Sequence, residues 1–277
     1  ELNVLRCYTD MGRYEDAYEA YERSMQIAEF ARSRHLVALT LIDYGYLLCQ
    51  QSEMDAATAA LERAARILVS IEDWPNLQRA MSTLGLVAIR SNNAITGERF
   101  YRRALNLSHQ MKLLAREDLL WMNLAICAAY QNQLPKAERY FLRALEQAKK
   151  KSARRIMAIV YANIALLLLV QNKRQSCARF LGYAEQLLVQ YPHPITEHMC
   201  SMVGTLLALV EGNINRAYEK GLRCMQVVRE KAFHFKQAET LSLLIEATAK
   251  QKKWTDASML LEELAHLPNK QSAIHQF

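Results

Sequence analysis

Seven histidines, six cysteines and several carboxylate pairs are the residues with which this chain could do covalent, acid–base or metal chemistry. The histidines (His35, His109, His193, His198, His234, His266 and His275) fall mostly in expected turns or at helix ends. None belongs to an H-E-x-x-H pair or another metal-ligand spacing. His193 and His198 flank a turn near Cys200, and ordinary turn residues are the better reading of that trio. Cys7, Cys49, Cys127, Cys177, Cys200 and Cys224 include no C-x-x-C pair. They read as buried, reduced packing residues, which points to a cytoplasmic, reducing compartment. No P-loop, G-x-G-x-x-G or G-x-S-x-G occurs, and neighbours such as Glu262 and Glu263 are the solvated face of a helix. These residues predict no enzyme, no cofactor and no bound metal.

Binding is the chemistry that the remaining residues suit. Asn3, Asp43, Thr83, Asn123 and Asn163 recur at a spacing of 40 on otherwise apolar faces. An asparagine amide offers a donor and an acceptor together, matching the peptide unit. Beside this ladder the first half of the chain offers Arg6, Tyr46, Arg79 and Arg90. The second half offers Ile126, Leu166, Leu169, Met199, Met202, Leu206 and Leu209. A basic, polar end thus meets an apolar end able to take a hydrophobic anchor or an amphipathic helix. Two structural readings stay open: the amides bond neighbouring helices together, and a tightly wound array buries the apolar residues against itself.

The formal charge is +7 and the isoelectric point near 9.1. The densest basic run, Lys149, Lys150, Lys151, Arg154 and Arg155, falls on an expected turn, where solvation alone accounts for it. With Arg99, Arg102, Arg103, Lys136, Arg139 and Arg143 it would also suit an acidic partner or nucleic acid. No aromatics are interleaved to stack single-stranded bases, so nucleic acid ranks below a protein or peptide partner.

The elements that must position these residues are helical hairpins. From Trp121 to Ala148 two amphipathic patterns flank a break at Asn132–Pro135, with Trp121, Leu124, Ala125 and Ala128 on one stripe and Ala137, Phe141 and Ala144 on the other. Stepping from Ala137 at the interval of the ladder finds small residues at Ala17, Ala57, Gly97, Ala137, Cys177, Ala217 and Ala257. One helical turn further lie Tyr21, Leu61, Tyr101, Phe141, Leu181, Gly221 and Leu261, a column of large residues that Gly221 breaks. The first helix has its own small column, Gly45, Gly85, Ala125, Ala165 and Thr205, which ends at Ile245. Gly97, inside a helix, is expected to cost about 1 kcal/mol against alanine.

This alternation of small and large positions resembles the tetratricopeptide repeat family, over essentially the whole chain. The period of 40 exceeds the family's usual 34 and resembles its longer-helix branch, seen in kinesin light chains, receptor-type peptide pheromone sensors and the sensor regions of MalT-like bacterial regulators. The resemblance implies an all-α, right-handed α-solenoid of seven helix–turn–helix repeats, in which each first helix lines the concave face. Met122-Asn123-Leu124-Ala125 and Ala162-Asn163-Ile164-Ala165 resemble the N-L-A signature, whose asparagine faces the groove and bonds a peptide backbone.

Only eight glycines and five prolines occur in 277 residues, and the prolines fall where an array needs breaks: Pro75, Pro135, Pro192, Pro194 and Pro268. No boundary shows, so residues 1–277 are expected to form one domain, a fragment of a longer protein. The longest apolar run, Ile164–Val170, is too short to span a membrane. The expected function is a protein-interaction module holding a peptide or helix in its groove. Alternatives are the ligand-sensing or autoinhibitory arm of a bacterial transcription regulator, whose A-R-L-L-G-A-A-E run Ala178–Glu185 resembles, and binding of nucleic acid or an acidic partner through a basic outer face. Oligomeric state is not legible.

Overall fold

A computed structural model describes residues 2–113, 116–230 and 234–267. The side chains of Asn3 and His234, and residues Pro268 and His275, lie outside the described residues. Among the described residues there are fourteen α-helices and no strand: α1 (Leu2–Asp10), α2 (Tyr14–Phe30), α3 (Arg34–Gln50), α4 (Met54–Ser70), α5 (Trp74–Arg90), α6 (Ala94–Gln110), α7 (Glu117–Tyr130), α8 (Leu134–Lys150), α9 (Arg154–Val170), α10 (Arg174–Gln190), α11 (Pro194–Val210), α12 (Ile214–Glu230), α13 (His234–Lys250) and α14 (Trp254–Ala265). Consecutive pairs form the seven expected hairpins of an all-α solenoid.

Helices α2 to α6 and α8 to α13 each have 17 residues. Short turns of equal length separate most of them, so the backbone repeats with every helix although the side chains repeat with every second one. The turns share one geometry. Arg32, Ser52, Glu72, Asn92, Lys112, Asn132, Ser152, Asn172 and Lys252, with Gly12 and Gly212, all have positive φ. In each of these turns the N–H of the next residue returns to a carbonyl in the last turn of the helix, as in Ser33 to Ala28, Gln133 to Ala128 and Asn213 to Ala208. This Schellman closure satisfies carbonyls that the helix end would otherwise leave open. Pro192 cannot take positive φ. There the chain leaves α10 extended, through Tyr191 at φ −130° and ψ 71°, and Pro194 opens α11 at its first position.

Contacts divide the chain into two compact units, Glu1–Tyr140 and Phe141–Phe277, where the composition shows no boundary. Within the first unit α1, α3 and α5 touch in succession, and within the second α9, α11 and α13 do the same. Second helices of successive repeats make no comparable contact among the described residues. Helices α1, α3 and α5, and likewise α9, α11 and α13, therefore lie on the crowded, inner side of their units.

Close approach inside each hairpin explains the size pattern. A Cβ on Gly45 would lie 2.5 Å from Leu61 Cγ, and one on Gly85 would lie 2.7 Å from Tyr101 Cζ. Gly97 is a contact residue as well, since its Cβ would come within 3.2 Å of the Gly85 carbonyl oxygen. The glycine's propensity cost thus permits the approach of α6 to α5. The interruption at Gly221 is an exchange of sizes: Thr205 stands in the small column, and a Cβ on Gly221 would sit 3.0 Å from Leu244 Cδ1 of the following repeat. In the last hairpin Ile245 occupies the small position, and Leu261, expected to be the large partner, is 52% exposed. Leu260 and Leu264 pack inward instead, beside a cleft of about 490 Å³ between α12 and α14 lined by Tyr218, Leu222, Met225 and Leu260.

Replacing Gly85 with alanine forces overpacking against a fully buried tyrosine and should destabilise by about 1–3 kcal/mol. Gly182, also within a helix, has only open space within 4 Å of where a Cβ would stand, so Gly182→Ala should stabilise by about 0.5–1 kcal/mol. Chemical denaturation of the two variants should move the midpoint in opposite directions.

Candidate binding site on the inner helices

In the first unit the predicted groove residues converge. Asp43 on α3 is almost fully buried and forms ion pairs with Arg79 of α5 and, at 3.7 Å, with Arg6 of α1. The Arg6 guanidinium lies 3.4 Å from the centroid of the Tyr46 ring. Arg6 and Tyr46 occupy the same slot in adjacent repeats, which a cation–π contact thus bridges. Burial pushes the Tyr46 phenol up to about 12. Arg90 donates to the Cys49 carbonyl at 2.9 Å and to Gln50 Oε1 at 2.8 Å. Thr83 spends its hydroxyl on the Arg79 carbonyl one turn back. Arg116, just before α7, has its guanidinium pKa lowered by desolvation and by the like charges of Arg79 and Arg6; its place beside them was not foreseen.

The remaining ladder and apolar positions are divided between the units. In the first, Asn123 and Ile126 of α7 are half-buried. In the second, Asn163 is 6% exposed and donates its amide to the Ile159 carbonyl at 2.8 Å, within its own helix. Leu166, Leu169, Met199 and Leu206 are half-buried, whereas Met202 and Leu209 belong to the core. The trio near the α10–α11 turn is dispersed over separate partners: His193 Nδ1 meets Thr196 Oγ1 at 2.8 Å, and buried His198 Nε2 meets Thr240 Oγ1 at 2.9 Å. Cys200 is buried. Among the described residues no group of three His, Cys, Asp or Glu side chains could hold a metal.

The basic run lies exposed at the α8–α9 turn. Lys150 is paired with Glu146 at 2.7 Å, and Lys151 is also engaged. Part of the outer charge is neutralised by a carboxylate that the sequence pattern did not single out. Glu98 accepts hydrogen bonds from Arg102 at 2.8 Å, Lys136 at 2.9 Å and Gln131 at 2.7 Å. Burial alone would raise its pKa, but these donors outweigh it and hold Glu98 near 2.

Residues 2–70 match the family model described as tetratricopeptide repeat, and the period continues through both units. The repeats within residues 2–70 are of the tetratricopeptide type. The fold is similar to that of a Rap protein solved in complex with competence and sporulation factor, with a TM-score of 0.77, 11% identity, and coverage of 96% of this chain and 73% of that one. NprR in complex with its cognate peptide NprX gives 0.68 at 11% identity, covering 98% and 79%. BtubC from P. vanneervenii gives 0.61 at 17%, covering 77% and 89%. No curated protein matches in sequence. Among the described residues no helix is long and apolar enough to cross a membrane.

Two groups make the helical array acid-sensitive. Burial, reinforced by Lys236, lowers His198 to about 4 from its ordinary 6.5. The unfolded chain then binds a proton that the folded one refuses, so this stability is whole above pH 6.5 and is lost as pH falls towards 4. Glu98 acts in the same direction below 4.5, and each contributes on the order of 1–3 kcal/mol. Melting temperature should fall between pH 7 and 4, and His198→Gln should flatten the upper part of that profile; an unchanged profile would remove His198 as its cause.

Proposed function

We propose that the inner helix faces bind a protein partner, held as an extended peptide or an amphipathic helix. The observation that carries this reading is the charged group of Arg6, Asp43 and Arg79, drawn from three successive first helices. Removing these charges from water costs several kcal/mol that their attraction only partly recovers, and an apolar trio would join α1, α3 and α5 at least as well. Its value is preorganisation. The side chains of Arg6 and Arg79 keep 37% and 27% of their surface exposed, so each can meet a ligand while Asp43 and Tyr46 hold it in place. Asn123 and Ile126 extend this face in the same unit. Leu166, and Leu206 on the next first helix, supply apolar walls in the other.

Two fold neighbours support the reading as proteins solved with a peptide or factor bound. All six cysteines are unpaired and five are buried, consistent with a reducing, cytoplasmic setting. The partner's identity is open to capture by pull-down, followed by titration with the isolated peptide. Changing Asn123 to alanine should weaken binding by about 0.5–1.5 kcal/mol, with a smaller change in melting. If melting collapses while the folded fraction binds as before, the amide serves the stack and the groove reading fails.

A further inference from the structure

A second cleft, of about 320 Å³, lies in the first unit where the end of α2, the start of α3 and α4 come together; its walls include Arg32, Arg34, Arg63, Glu29, Val37 and Ile67. We infer that this cleft binds the phosphate of a phosphorylated serine or threonine side chain on a partner protein. Three arginines and one glutamate line it. Arg13 and Arg23, at the start and in the middle of α2, are paired with Asp16 and Glu19, whereas among the described residues Arg32, Arg34 and Arg63 form no ion pair.

The charge is also placed against local preference. Helix α3 opens on Arg34 and His35 with no acidic residue in its first turn, although the helix dipole favours negative charge there. Arg32 takes the strained positive φ of 47°. All three arginines are exposed, so core packing does not repay this placement. An anion in the cleft would, because it offsets positive charge that carries no ion pair within the chain.

Chemistry and shape select the anion. Guanidinium forks match phosphate oxygens in paired hydrogen bonds, and a phosphate presents three such oxygens at one point. Val37 and Ile67 are half-buried walls against which the carbon stem of a phosphorylated residue would pack. A nucleic-acid backbone needs a track of spaced charges, and a membrane surface a broad basic face. A single focal cleft with apolar walls fits a peptide side chain better than either.

The test is fluorescence anisotropy at physiological salt with a degenerate heptapeptide library centred on phosphoserine, beside the same library with serine. Inorganic phosphate, a single-stranded oligonucleotide and phosphatidylserine vesicles serve as competitors. The phosphoserine library should bind about tenfold or more tightly than the serine library. That preference should vanish in the exposed double variant Arg34→Ala/Arg63→Ala, with its fold checked by circular dichroism. Arg63→Lys should weaken binding because it keeps charge but loses the fork, and Glu29→Gln should tighten it. Equal binding of the two libraries, a double variant that binds as the wild type does, or displacement by inorganic phosphate, oligonucleotide or vesicles at concentrations that match the peptide's own would each overturn the assignment.

Discussion

The contact on which the rest depends is the close approach of the two helices within a repeat, small residue against large. Gly45 against Leu61 and Gly85 against Tyr101 leave no room for even one methyl group. Interiors at this density register a change of a single methylene, so the column of small residues sets how near the second helix lies. The sixth repeat shows that the volume matters more than its source, because Leu244 enters the space that Gly221 vacates. Where both positions are large, at Ile245 and Leu261, the last helix turns Leu260 and Leu264 inward and leaves Leu261 outside.

Uniform turns carry that contact from one repeat to the next. Because helix and turn lengths are constant along most of the chain, successive first helices return in the same rotational phase, and residues one repeat apart meet. Arg6 reaches Tyr46 and Arg90 reaches Gln50 by this rule, and near neighbours of it join Glu98 to Lys136 and His198 to Thr240. The positive φ of a non-glycine residue in most turns is a repeated cost. Each time the Schellman bonds offset it, and Ser33, Asp73 and Asn93 add side-chain caps to the helices that follow. Inner faces built on such a frame can hold polar groups in fixed positions, which a groove for peptides requires.

Much of this was legible in the sequence, because the small column of the second helices runs through seven copies and the large one beside it through six. The shorter backbone period, one helix and one turn, was not, since arginine, serine, glutamate and lysine occupy the left-handed position as often as the expected glycine and asparagine. Gly221 read as a break because its partner, Leu244, belongs to the next repeat and to another column. Part of the outer positive charge is offset in a way that spacing hides: Arg102 and Lys136 both spend themselves on Glu98, and only the fold brings Lys136 to it. Spacing placed Asp43, Tyr46, Arg79 and Arg90 on one set of inner helices, but the ion pairs and the ring contact that fix them depend on side-chain reach. Asn163 shows the opposite limit, for a residue on the expected face can still turn its amide to its own helix.

The most direct test is a double-mutant cycle between Gly85 and Tyr101, read by urea unfolding of Gly85→Ala, Tyr101→Leu and the pair. If small-against-large contact sets the stack, the alanine that is harmful opposite tyrosine should become nearly harmless opposite leucine. The coupling should then exceed about 1 kcal/mol. Effects that add within about 0.5 kcal/mol would contradict it, and with it the claim that this contact positions the inner helices.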